Sequence, residues 1–168
     1  MCRPEAMLLL LILALLGTPT FGATSYYGLT SGTHFCTSVP KGKDLEGIRM
    51  RIRGPRILSV QLKHGDTWGE VYGVTGGRIE EFILNKGEYI TWLYGSYLIN
   101  IQHLIVYTDW IRNHIFGTST RNEFSAFPNQ YGQVLKGFCG FYNLGGISSF
   151  GFIWDDAEGN STSTKACS

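Results

Sequence analysis

The stretch Gly47-Ile48-Arg49-Met50-Arg51-Ile52-Arg53-Gly54-Pro55-Arg56-Ile57-Leu58-Ser59-Val60-Gln61-Leu62-Lys63 decides the fold class. Ile48, Met50 and Ile52 alternate with Arg49, Arg51 and Arg53. After Gly54-Pro55, Leu58, Val60 and Leu62 alternate with Ser59, Gln61 and Lys63. Successive side chains of a strand point to opposite faces, so period two describes a strand with one buried and one wet face. The Gly-Pro pair between the two runs reads as a turn. Working outward, the same reading predicts strands at residues 81–84, 89–94, 98–107, 114–118, 133–139 and 147–154. Turns fall between them at His64-Gly65-Asp66, Gly76-Gly77, Asn85-Lys86-Gly87, Gly95-Ser96, Pro128-Asn129 and Gly145-Gly146. No window of eleven residues sustains a helical period. Short strands at this spacing predict an all-β sandwich, barrel or prism.

Composition agrees. The chain has 168 residues, enough for one domain with its own core. Fourteen Lys and Arg against thirteen Asp and Glu leave a net charge of +1, which argues against nucleic acid as a partner. Only 16% of residues are charged, against about a quarter in an average domain. With 22 Gly, 10 Phe, 9 Tyr, 4 Trp and 43% apolar residues, the chain is neither a disordered tail nor a coiled coil.

The N-terminus reads as an address. Arg3 precedes an apolar run at residues 7–16, followed by Gly17-Thr18-Pro19-Thr20-Phe21-Gly22. A charged start, a short apolar stretch and a small-residue exit describe a secretory signal peptide, with cleavage expected after Gly22. The run is too short for a bilayer span, which needs about 20 residues, so membrane insertion is not expected. The expected organisation is a signal peptide at 1–22, one folded domain at 23–157 and a polar tail at 158–168, in a secreted protein.

Secretion leaves Cys36, Cys139 and Cys167 in an oxidising compartment, where one internal bridge is possible and one thiol is left over. Three pairings are open. Cys36–Cys139 is the expected one, because Cys167 lies in the polar tail. Asn160-Ser161-Thr162 in that tail is an N-glycosylation sequon.

The search for catalytic chemistry finds little. GxSxG, HExxH, a P-loop and a strand-following GxGxxG are all missing from the sequence. His34, His64, His103 and His114 are scattered at no metal-ligand spacing. Glu80 and Glu81 are adjacent on a strand, so they point to opposite faces and cannot flank one bond. His34 beside Cys36 could suggest a nucleophile pair, but a disulfide-bound Cys is the simpler reading. No enzyme, cofactor or metal is expected. Two features suggest binding. Arg49, Arg51 and Arg53 share one face, near Arg56 and Lys63, and such a ladder suits sulfate or carboxylate groups of anionic glycans; a solvated face is the plainer alternative. The Gly-rich stretch Cys139-Gly140-Phe141-Tyr142-Asn143-Leu144-Gly145-Gly146-Ile147-Ser148 reads either as a sugar-binding loop or as a tight hairpin.

Several segments together resemble one family. They are Tyr27-Gly28, Gly47-Ile48-Arg49, Val60-Gln61-Leu62-Lys63-His64-Gly65-Asp66-Thr67-Trp68, Lys86-Gly87-Glu88-Tyr89-Ile90-Thr91, Gly132-Gln133-Val134-Leu135 and Phe150-Gly151-Phe152-Ile153-Trp154. In order and spacing they are similar to the zymogen granule protein 16 group of jacalin-related lectins, homolog B branch. The resemblance implies a β-prism of three four-stranded sheets, secretion from salivary or related exocrine cells, and glycan binding without a metal ion.

It also implies a site. The family's glycine loop falls on Leu29-Thr30-Ser31-Gly32, where one Gly of the usual run survives, and its recognition loop falls near Gly95, Ser96 and Tyr97. Its GxxxD loop falls on Leu144, Gly145, Gly146, Ile147 and Ser148, with Leu144 at the Gly and Ser148 at the Asp. Gly151 to Asp155 matches GxxxD literally but lies inside an apolar strand. The resemblance implies that the family's Asp, where this chain has Ser148, makes charge-assisted bonds to two sugar hydroxyls, roughly twice as strong as neutral ones. Ser148 is therefore expected to weaken mannose-type recognition. The leading expectation is a lectin-like protein binding glycans or glycoproteins of mucins, microbial surfaces or epithelium. The alternative is a secreted ligand on the same fold that has lost sugar binding and acts on a cell-surface receptor.

Overall fold

The computed structural model describes residues 25–158. The expected signal peptide, Asn160 and Cys167 lie outside the described residues. In chain order the strands are β1 (Tyr27–Gly28), β2 (Thr33–Ser38), β3 (Gly47–Arg53), β4 (Arg56–His64), β5 (Thr67–Trp68), β6 (Tyr72–Gly73), β7 (Arg78–Ile83), β8 (Ile90–Tyr97), β9 (Ile101–Thr108), β10 (Asn113–Gly117), β11 (Asn122–Ala126), β12 (Gln133–Asn143) and β13 (Gly146–Asp156). They form three antiparallel sheets, ordered β1-β13-β12-β2, β10-β9-β8-β11 and β5-β4-β3-β7. The third carries a fifth, two-residue strand, β6, paired with β4. Among the described residues no helix is long and apolar enough to cross a membrane.

The alternation in the β3–β4 hairpin sends Ile48, Met50, Ile52, Val60 and Leu62 into a core shared by all three sheets, where they meet Leu93, Leu104, Phe116, Phe138 and Phe150. Burying each such side chain contributes about 1.5–3 kcal/mol. The hairpin is not uniform: the register slips between Arg51, opposite Ser59, and Ile52, opposite Ile57. The slip adds local twist.

One expectation is corrected and one open alternative is decided. Gly95-Ser96 is not a turn, because β8 runs on to Tyr97 and the reversal comes at Leu98-Ile99-Asn100. Gly95 is there for packing: a Cβ on it would fall 2.4 Å from the Phe124 ring. Of the two readings of Cys139 to Ser148, the tight hairpin is the one found. Residues 139–143 complete β12, Gly146 already begins β13, and Leu144-Gly145 is the whole connection. Within β12, Gly140 stands where a Cβ would press on the Phe35 ring at 3.0 Å. Strands β1, β2, β5, β6 and β11 carry no alternation long enough to be read in advance.

Candidate functional site

β1, β8 and β12 all finish at one end of the molecule, so three connections meet there: residues 29–32, 98–100 and 143–145. Leu29 N–H donates to the Ser148 carbonyl at 2.9 Å, and the Ser148 hydroxyl donates to the Ser31 carbonyl at 2.7 Å. Asn100 Nδ2 donates to Asn143 Oδ1 at 3.1 Å and to the Gly146 carbonyl at 3.2 Å. Gly145 N–H donates to the same Asn143 oxygen at 2.8 Å. Gly32 has φ +108°, and a Cβ on it would lie 2.2 Å from the Tyr142 carbonyl oxygen. Only glycine takes that conformation readily. The end is thus shaped by backbone and two carboxamides, Asn100 buried and Asn143 half-buried.

The structure brings Gly32, Leu144, Gly145 and Gly146 together here, buries three other expected residues and half-buries a fourth. Ser96 is fully buried; its hydroxyl accepts the Thr120 N–H at 2.9 Å, because the segment after β10 folds across it. Tyr97 packs against the core beside Phe124. Ile147 and Ser148 are fully buried in β13. The Ser148 hydroxyl thus ties β13 to the 29–32 loop and is not presented to solvent. Asn100 and Asn143 were missed in the sequence. An Asn just before a two-residue reversal was the available signal. Around the network stand Leu29, Leu98, Ile99 and Leu144, all exposed, Leu144 at 98%.

The arginine ladder is less available than its spacing suggested. Arg49 Nε donates to Glu81 Oε1 at 2.6 Å and Nη1 to Gln61 Oε1 at 3.0 Å, with the guanidinium 3.9 Å from the Trp68 ring centroid. Arg53 donates to the Thr75 carbonyl at 3.3 Å. Lys63 does not join the group: it lies opposite Gly47, at the far end of the hairpin, and pairs with Glu46 at 3.6 Å. Arg51 and Arg53 remain without a carboxylate within 4.0 Å among the described residues.

Cys36 and Cys139 face each other across β2 and β12 and form a disulfide, with Cα atoms 4.0 Å apart. Cys36 therefore cannot pair with His34 as a nucleophile. Glu81 faces outward to Arg49. Glu80 lies 4.0 Å from His114, a ring stacked on Phe82. Burial holds the pKa of both His103 and His114 below the ordinary histidine value, against the pull of Glu123 and Glu80 respectively. Among the described residues no group of three or more His, Cys, Asp or Glu could hold a metal ion.

Comparison with known proteins accords with this geometry. The jacalin-like lectin domain matches residues 24–153. Zymogen granule membrane protein 16 of Homo sapiens is 30% identical over 162 residues, which span 89% of this chain and 95% of that protein. Prostatic spermine-binding protein of Rattus norvegicus is 30% identical over 166 residues; these cover 92% of this chain but only 57% of that relative's length. The crystal structure of a prostate-specific WGA16 glycoprotein lectin superimposes with a TM-score of 0.72 at 39% identity, over 80% of this chain and 99% of that one. A banana lectin at 20% identity shares the fold with a TM-score of 0.68. This chain belongs to the jacalin-like lectin domain family.

Proposed function

We propose that this is a secreted, non-enzymatic lectin that binds neutral glycans of mucins, microbes or epithelial surfaces, without a metal, through the end formed by residues 29–32, 98–100 and 143–145. The observation that carries the reading is the convergence of these three loops, 98–100 and 143–145 joined by the Asn100–Asn143 network and 29–32 tied beside them through Ser148. Backbone N–H and C=O groups held at fixed positions beside carboxamides suit sugar hydroxyls, which both donate and accept. Because Ser148 supplies no exposed carboxylate, binding is expected to be weak and largely indifferent to salt. A glycan array probed at low and high salt tests this. Binding to neutral mannose or galactose structures at both salts supports it. Signal confined to sulfated or sialylated glycans and erased by salt would instead place the site at Arg51 and Arg53.

The exposed Leu29, Leu98, Ile99 and Leu144 favour a second reading. An apolar crown on the same loops suits a protein surface, as in a receptor ligand that has lost sugar binding. Under that reading the array stays blank, and Leu144→Asp abolishes receptor engagement on responsive cells.

A further inference from the structure

At the end opposite the three loops, a cleft of about 660 Å³ opens between the start of β8, the turn after β9 and the segment joining β11 to β12. That volume is in the range of small-molecule sites, about 300–1,000 Å³. Tyr89, Phe127 and Tyr131 line it together with Asp109, Gln130 and Gln133. Tyr131 is fully exposed and Phe127 more than half exposed. The Phe127 ring is nonetheless fixed, stacked on Trp92 at 5.6 Å, which in turn stacks on Tyr107 at 4.2 Å. Asp109 is fixed as well: its Oδ1 accepts the Tyr89 N–H at 2.9 Å, which leaves Oδ2 to accept from a ligand.

Among the described residues no cationic side chain lines the cleft, so an anionic ligand finds no counter-charge there. The carboxamides offer donors and acceptors side by side, which matches hydroxyl groups. An ammonium ion only donates and would leave the amide N–H groups unmatched. Aromatic rings complete the set, because the C–H face of a sugar ring packs on them. We propose that this cleft is a second glycan subsite, for a neutral saccharide, so that one chain can hold two glycans at opposite ends. The proposal does not depend on the three-loop end being active.

Amide chemical shifts of the full-length chain, titrated with N-acetyllactosamine, mannotriose, spermine and a sulfated disaccharide, test it. A neutral probe is expected to shift the amides of Thr91, Asp109, Gly132 and Gln133. Asp109→Asn keeps an oxygen for the Tyr89 N–H but loses the charge, and Tyr131→Ala removes a ring that supports nothing else. Each is expected to weaken the cleft response about tenfold. Amides of Gly32 and Gly145 report the other end separately, so failure of one site is not read as failure of the other. The proposal is overturned if those cleft amides move only with spermine or the sulfated sugar, if no probe moves them, or if both variants respond like the parent.

Discussion

The two ends of the prism are held by different means. The three-loop end is set by glycine conformation and backbone hydrogen bonds around Asn100 and Asn143, with aliphatic side chains outermost. The cleft end is set by ion pairs and rings. Glu88, fully buried, accepts from the Asn85 backbone and from Arg112, Lys136 is buried against Asp44, and Phe127, Trp92 and Tyr107 stack in series. Side chains at the tips of the first end are therefore replaceable while its glycines are not. At the second end the side chains themselves are the structure, and pH reaches them.

The largest expected effect removes what both ends share. The Cys36–Cys139 bridge closes a loop of sequence separation 103, and its replacement by Ser at both positions should cost about 4 kcal/mol, measured by denaturant unfolding. A loss under 1 kcal/mol would mean that the sheets hold both ends without it.

Next comes Glu88→Gln, which strikes the cleft end alone. Burial raises the Glu88 pKa, but hydrogen bonds from Asn85 and Thr108 and the Arg112 charge outweigh it, and the pKa lies below the ordinary carboxylate value. A carboxyl with a depressed folded pKa stabilises fully above its unfolded value, about 4.3, and this contribution disappears as pH falls through the folded value. The variant should lose about 2 kcal/mol at neutral pH, discounted for the half-exposed Arg112, and its stability should fall less steeply below pH about 4. Parallel acid profiles for parent and variant would contradict this.

Gly32→Ala strikes the three-loop end alone. Its positive φ and the approach of the Tyr142 carbonyl should cost about 2 kcal/mol, with Thr91 and Gln133 amide shifts unchanged. Smallest is Leu144→Ser, where a 98% exposed side chain should change stability by less than about 0.5 kcal/mol. Neutral-glycan binding that survives this change sharpens the lectin reading; loss of receptor engagement alone would favour the other.

How much could be read in advance follows from where each signal resides. The β3–β4 hairpin was legible because apolar and polar residues alternate over 48–53 and again over 58–63, on either side of a Gly-Pro turn; the slip that buries Ser59 between them was not. The extent of β8 and β12 was not, because Gly95 and Gly140 look like turn residues and serve instead to admit the Phe124 ring and the Ser149 carbonyl beside the Phe35 ring. At the site, Gly145 stood out as a turn glycine, and Gly32 came from the family resemblance. Burial of Ser96 did not, since it depends on Thr120 arriving from another segment. The arginine face was legible as a face, but the partners of Arg49 come from β4, β5 and β7, which a single strand does not reveal.

The most direct test compares the parent and Gly145→Ala on a neutral-glycan array at high salt. A Cβ at this position would press on Asn100 Oδ1 at 2.8 Å and Asn143 Oδ1 at 3.1 Å, shifting the carboxamide network, while the Thr91 and Gln133 amides at the far end report that the chain is folded. The account predicts that the parent binds neutral glycans and that the variant does not. Equal binding by both chains, or none by the parent, would contradict it.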